Sequence, residues 1–139
     1  MIPASTLRIG SLEMLAALAV VAIVAARPRR DAAELDPFAP MRMRLAIVEG
    51  GTPRALETNA PLEIGRADTC TVVLRDPEVS RSHARLEPRQ GVVYLRDLGS
   101  RNGTFLNGRR ITSPIEVREG DEIDVGVTRI TVEDLKPWT

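Results

Sequence analysis

Apolar residues are distributed in two different ways along this chain. Leu12 to Ala26 is apolar except for Glu13, and Met14 to Ala26 runs without interruption. From Met43 onward the pattern changes to short alternating or apolar runs, divided by Gly50-Gly51, Asp76-Pro77, Gln90-Gly91, Glu119-Gly120-Asp121 and Val125-Gly126. These runs predict strands near Arg44–Val48, Arg54–Leu56, Pro61–Ile64, Val72–Leu74, Ala84–Pro88, Val92–Asp97, Thr104–Leu106, Ile115–Val117, Glu122–Val125 and Thr128–Glu133. Short strands at regular spacing, with no ten-residue helical period between them, imply an all-β fold, an antiparallel β-sandwich.

The first pattern implies a single transmembrane helix ahead of that sandwich. Taken back to Ile9, the run spans about 27 Å as a helix, against a hydrocarbon core of roughly 30 Å. Arg27, Arg29 and Arg30 follow at once, which places the C-terminal side in the cytoplasm. Residues 1–8 then form a tail, 9–26 the anchor, and 27–42 a linker with three prolines and no amphipathic period. A coil of that length reaches about 20–25 Å. Residues 43–136 form the β domain. Two alternatives stay open: a signal peptide cleaved near Val24-Ala25-Ala26, and a translation start at Met41 or Met43 that yields a soluble cytoplasmic protein.

Charge changes this picture little. Basic and acidic residues both number 19 in 139, so bulk attraction to nucleic acid or to a membrane surface is not expected. Four aromatic residues are too few for a base-stacking surface. Cys70 and His83 each stand alone among their kind, which excludes an intramolecular disulfide and any metal site of ordinary composition. Glu119, Asp121, Glu122 and Asp124 lack a calcium-loop spacing and read as a solvated hairpin rim.

The chemistry concentrates in Asp97-Leu98-Gly99-Ser100-Arg101-Asn102-Gly103-Thr104-Phe105-Leu106-Asn107-Gly108. Asn-Gly pairs mark sharp turns, and Leu98, Phe105 and Leu106 anchor the segment to a core. Such a loop holds donors at fixed places, as gripping a small anion requires. Two companions lie upstream, Gly65-Arg66 and Ser80-Arg81-Ser82-His83. Cation, hydroxyl and carboxamide groups on three connections suit a phosphate monoester, which carries nearly two charges and three acceptor oxygens. The glycines at 99, 103 and 108 fit neither the dinucleotide fingerprint nor the Walker loop, so no cofactor is expected. A Ser80/His83 nucleophile pair lacks an orienting carboxylate at recognisable spacing, so catalysis is not expected either.

In this order, Gly-Arg, Ser-x-x-His, Gly-Ser-x-Asn-Gly-Thr and a final Asn-Gly resemble the forkhead-associated (FHA) domain, a reader of phosphothreonine peptides with an FHA/SMAD-like sandwich. The resemblance spans roughly Arg44 to Glu133. It implies that Arg66 and Ser80 contact the phosphate, that Arg81 adds a second cation facing the peptide, and that Asn102 holds the peptide backbone. Arg101 stands where many relatives have Thr. Gly65, His83, Gly103 and Asn107 are implied to support the site, His83 by bracing the loop that presents Ser80. An anchor, a linker and a C-terminal FHA domain also resemble small actinobacterial FHA proteins tied to cell-envelope growth and division. The function so implied is a phosphothreonine-binding adaptor in Ser/Thr kinase signalling at the membrane, with phosphorylated kinases or their membrane-associated substrates as partners. The alternative is an interaction sandwich whose phosphate site is unused.

Overall fold

Eleven strands and no helix make up residues 36–138, the part of the chain that the computed structural model describes. The expected anchor at 9–26 lies outside the described residues. Among the described residues no helix is long and apolar enough to cross a membrane. In chain order the strands are β1 (Met41–Glu49), β2 (Thr52–Ala60), β3 (Leu62–Gly65), β4 (Val72–Val73), β5 (Ala84–Arg89), β6 (Val92–Asp97), β7 (Thr104–Leu106), β8 (Arg109–Arg110), β9 (Ile115–Val117), β10 (Glu122–Val125) and β11 (Thr128–Pro137). They form a six-stranded sheet in the order β2-β1-β11-β10-β7-β8 and a five-stranded sheet in the order β4-β3-β5-β6-β9.

The core follows from period-two alternation. On β1, Met41, Met43, Leu45 and Ile47 are buried while Arg42 and Arg44 face solvent. Ile123, Val125, Ile130 and Val132 continue that inner face, and Leu62, Ile64, Val72, Leu86, Val93 and Leu95 answer it from the other sheet. Burying each Leu, Ile or Val contributes about 1.5–3 kcal/mol relative to leaving it exposed. β6 carries apolar residues at successive positions, Val92 to Leu95, so its sequence alone does not tell the inner face from the outer. The structure buries Val93 and Leu95, and leaves Val92 and Tyr94 half-buried on the outer face with Arg96 exposed.

Three expectations need correction. The sandwich is not wholly antiparallel: β3 and β4 pair in parallel, Ile64 with Val72 and Gly65 with Val73, while the other ladders are antiparallel. Pro61, expected to open β3, precedes that strand, which begins at Leu62. The linker expected over 27–42 gives way before residue 42. The Pro37 carbonyl accepts from Gln90 N at 2.7 Å, the Pro40 carbonyl accepts from Trp138 N at 3.1 Å, and β1 has begun by Met41.

Topology gives the sandwich two unlike poles. At one, β3 ends at Gly65, β5 starts at Ala84 and β6 ends at Asp97, so connections 66–71, 74–83 and 98–103 all emerge together. At the other lie the β5–β6 turn at Gln90-Gly91 and the paired ends Met41 and Pro137, where the described chain enters and leaves.

Candidate functional site

A cleft of about 300 Å³ opens at the first pole, lined by Arg66, Pro77, Glu78, Val79, Ser80, Arg81, Arg101 and Asn102. All five residues expected on the phosphopeptide-binding surface, Arg66, Ser80, Arg81, Arg101 and Asn102, therefore line one basin. Arg66 Nε donates to the Val79 carbonyl at 2.9 Å, which fixes the guanidinium plane and leaves its terminal amino groups for a ligand. The Ser80 hydroxyl accepts from Arg101 N at 3.0 Å, so its own proton is free to donate. Asn102 Nδ2 donates to the Glu78 carbonyl at 2.8 Å and to Glu78 Oε2 at 2.9 Å. With both amide protons engaged, Asn102 offers the cleft its Oδ1, an acceptor suited to a main-chain N–H.

His83 ties these connections together from below. It is fully buried. Its Nδ1 accepts from Ser80 N at 3.0 Å, so the proton sits on Nε2, which donates to the Gly103 carbonyl at 2.9 Å. Its own backbone N–H donates to Ile64 and its carbonyl accepts from Leu98 N. The imidazole thus joins the Ser80 and Asn102 connections, and the His83 backbone hangs them on β3. Gly65 serves by close approach. A Cβ there would collide with the Arg81 carbonyl and lie 2.9 Å from Cys70 Sγ. Cys70 Sγ donates to that carbonyl at 3.2 Å, and burial pushes its thiol pKa up. Gly103, at φ 87°, lies under the Arg110 guanidinium.

Two carboxylates that the sequence reading passed over shape the rim. Asp97 accepts from Gly99 N, Ser100 N, Ser100 Oγ and Thr104 Oγ1 at 2.5–3.1 Å. Ser100 Oγ in turn accepts from Gly103 N. The Ser100 side chain therefore faces the inside of its own loop and not the cleft. Asp76, buried, accepts from Glu78 N, Val127 N and Thr128 Oγ1, clamping the β10–β11 turn to the Ser80 connection.

For both carboxyls burial alone would raise the pKa, but the hydrogen bonds outweigh it and hold them below the usual carboxylate range. Their stabilisation is complete above the unfolded value of about 3.9 and is lost as pH falls through the lower folded values. In Asp97→Asn an NH2 group replaces one accepting oxygen. That variant is expected to lose about 1–3 kcal/mol at neutral pH and to show a shallower acid limb in denaturant midpoints measured from pH 7 down to pH 2.

The cleft brings together cations that carry no carboxylate partner. Arg44, Arg54, Arg85, Arg89, Arg96, Arg118, Arg129 and Lys136 all pair with carboxylates within 4.0 Å. Among the described residues, Arg66, Arg81 and Arg101 have no such partner; Arg42, Arg75, Arg109 and Arg110 have none either, but only the first three line one basin with the Ser80 hydroxyl and Asn102. A larger hollow of about 660 Å³ lies at the far pole, but there the one arginine of its lining, Arg89, pairs with Glu87. Asn107 is not part of the cleft. Its Nδ2 donates to Asp121 and its Oδ1 accepts from Glu122 N, so it braces the six-stranded sheet. The expected acidic rim is engaged likewise: Asp121 accepts from Arg118 N, Glu119 from Leu135 N, and Asp124 pairs with Arg129.

A β-sandwich that gathers uncompensated guanidiniums, a hydroxyl and a carboxamide at one pole defines an anion-recognition module. The chain belongs to the FHA-domain family, and residues 62–126 match the FHA domain. It is 38% identical over 117 residues to the FHA domain-containing protein FhaB of Mycolicibacterium smegmatis, covering 78% of this chain and 74% of that one. The FhaA FHA domain, solved in complex with the intracellular domain of Rv3910, superposes with a TM-score of 0.57 at 27% identity, covering 68% of this chain and all of that one. Mycobacterium tuberculosis EmbR, solved in complex with a low-affinity phosphopeptide, gives 0.60 at 26% identity, covering 70% of this chain and 26% of EmbR.

Proposed function

We propose that this protein is a phosphothreonine-peptide-binding adaptor in Ser/Thr kinase signalling, binding its ligand without chemical turnover. The observation that carries the proposal is the set of three arginines without carboxylate partners around a cleft that also presents the Ser80 hydroxyl and Asn102 Oδ1. Arg66 and Arg81 supply cations to the phosphate, Ser80 donates its free proton, and Asn102 accepts from the peptide main chain. Arg101 serves mainly through its backbone, which orients Ser80. The complex of EmbR with a phosphopeptide supports the same class of ligand here, and that of FhaA with an intracellular domain supports a protein partner.

Charge-assisted hydrogen bonds contribute about 1.5–3 kcal/mol each, and ordering a flexible peptide costs about 2–5 kcal/mol. Short ligands then bind at micromolar affinity, about −8 kcal/mol, which suits reversible signalling. The apolar run at 9–26 and the arginines after it support a membrane-tethered placement with the domain in the cytoplasm, where confinement raises the effective concentration of kinases or substrates in the same membrane. A link to envelope growth or division follows the resemblance alone.

Titration with matched phosphorylated and unphosphorylated threonine peptides tests the proposal. Phosphorylation is expected to strengthen binding by more than about a hundredfold, equally in the full chain and in one lacking residues 1–26. Equal affinity for the two peptides would overturn it in favour of a scaffold with an unused phosphate site.

A further inference from the structure

One acidic side chain lines a cleft otherwise furnished with cations. Glu78 sits among Arg66, Arg81 and Arg101, yet no ion pair within 4.0 Å joins it to any of them. Its Oε2 accepts from Asn102 Nδ2, while Oε1 has no partner among the described residues. Glu78 is exposed, but its carboxylate is held by Asn102 and its backbone is anchored. Its backbone N–H is held by Asp76 Oδ1 at 2.9 Å and its backbone carbonyl by Asn102. On the far side Gly126 packs so closely that a Cβ there would come within 3.0 Å of the Glu78 Cβ.

A fixed carboxylate beside an anion site repels that anion, and supporting Asn102 does not require the charge, because a neutral amide oxygen accepts the same hydrogen bond. The geometry points to Glu78 as a specificity-determining residue: its free oxygen takes a Lys or Arg side chain that flanks the phosphothreonine. The preferred ligand is then a phosphopeptide with a cation close to the phosphorylated residue, and phosphopeptides acidic at that position are disfavoured twice, by lost attraction and by repulsion. The inference rests on the phosphopeptide reading above.

The test is a positional scan with the full chain. A phosphothreonine peptide with neutral flanks is compared with versions carrying Lys, Gln or Glu at each neighbouring position. In the wild-type protein one position is expected to favour Lys over Gln by about five-fold, the range of a partly exposed ion pair, and to lose that preference at high salt. Glu78→Gln, which keeps an acceptor for Asn102, is expected to erase the Lys preference, read as the ratio of the Lys-peptide and Gln-peptide affinities within that variant. A flat scan with binding that still depends on phosphate overturns the role of Glu78 alone. A Lys preference that survives in Glu78→Gln does the same, and so does an equal loss for all peptides, which would reduce Glu78 to a support for Asn102. If no phosphothreonine peptide binds the wild type, the phosphopeptide reading itself fails, and this inference with it.

Discussion

Replacing Arg66 with alanine is expected to lower phosphothreonine-peptide affinity by about ten- to a hundredfold, or 1.4–2.7 kcal/mol, and to leave the thermal midpoint nearly unchanged. Arg66 is exposed, carries no ion pair among the described residues, and makes one side-chain hydrogen bond to its own protein, from Nε to Val79. Removing it therefore takes little from the fold. In the complex it removes a guanidinium held in plane by that bond, with two terminal nitrogens free for phosphate oxygens. Arg66→Lys should fall between wild type and alanine, because an ammonium keeps the charge but neither the planar fork nor the brace. Calorimetric titration and a melting curve on the same samples check both halves. Unaltered titration curves for Arg66→Ala would remove that residue from the site.

His83→Ala should behave in the opposite manner, costing stability first and affinity as a result. It leaves a hole beneath the pole and strips partners from Ser80 N and the Gly103 carbonyl. Orphaned buried groups cost about 1–3 kcal/mol each, so a total loss of about 3–5 kcal/mol is expected. For a domain of this size that lowers the melting temperature by more than about 10 °C. Peptide affinity should fall as well, measured well below the melting point, because Ser80 and Asn102 would no longer share one support. A variant that keeps its melting temperature and loses only affinity would place the imidazole in the cleft. The two substitutions thus separate a ligand contact from the girder behind it.

The sandwich and its cleft were legible to different depths in the sequence. Strands whose faces differ sharply, such as β5 and β10, were placed within a residue or two. β2 was read only as Arg54–Leu56 but runs from Thr52 to Ala60. It is an edge strand with most residues exposed, so no burial imposes alternation on its sequence. β8, two exposed arginines, carries no pattern at all. The parallel β3–β4 pair escaped notice because strand direction is set by the route of the intervening connection, which composition does not record.

In the cleft, Arg66, Ser80, Arg81, Arg101 and Asn102 all came together as the motifs implied. Asp97 could have been found, because an aspartate followed two and three residues later by Gly and Ser is a turn-capping pattern. Asp76 could not. Its partners Val127 and Thr128 lie some fifty residues away, and such a bridge exists only once both sheets are assembled. Asn107 misled for a related reason: an Asn-Gly turn looks the same whether its carboxamide supports a binding site or a neighbouring strand.

The pairing of Met41 with Pro137 has a practical corollary for handling this domain. Since both ends of the described domain leave the β-sheets on the side of Gln90, a reporter dye, an affinity handle or a surface linker joined to the domain directly at residue 36 or residue 138 is carried at the rear. Ligand approach from the front is then unobstructed, and immobilised protein should titrate as it does free in solution.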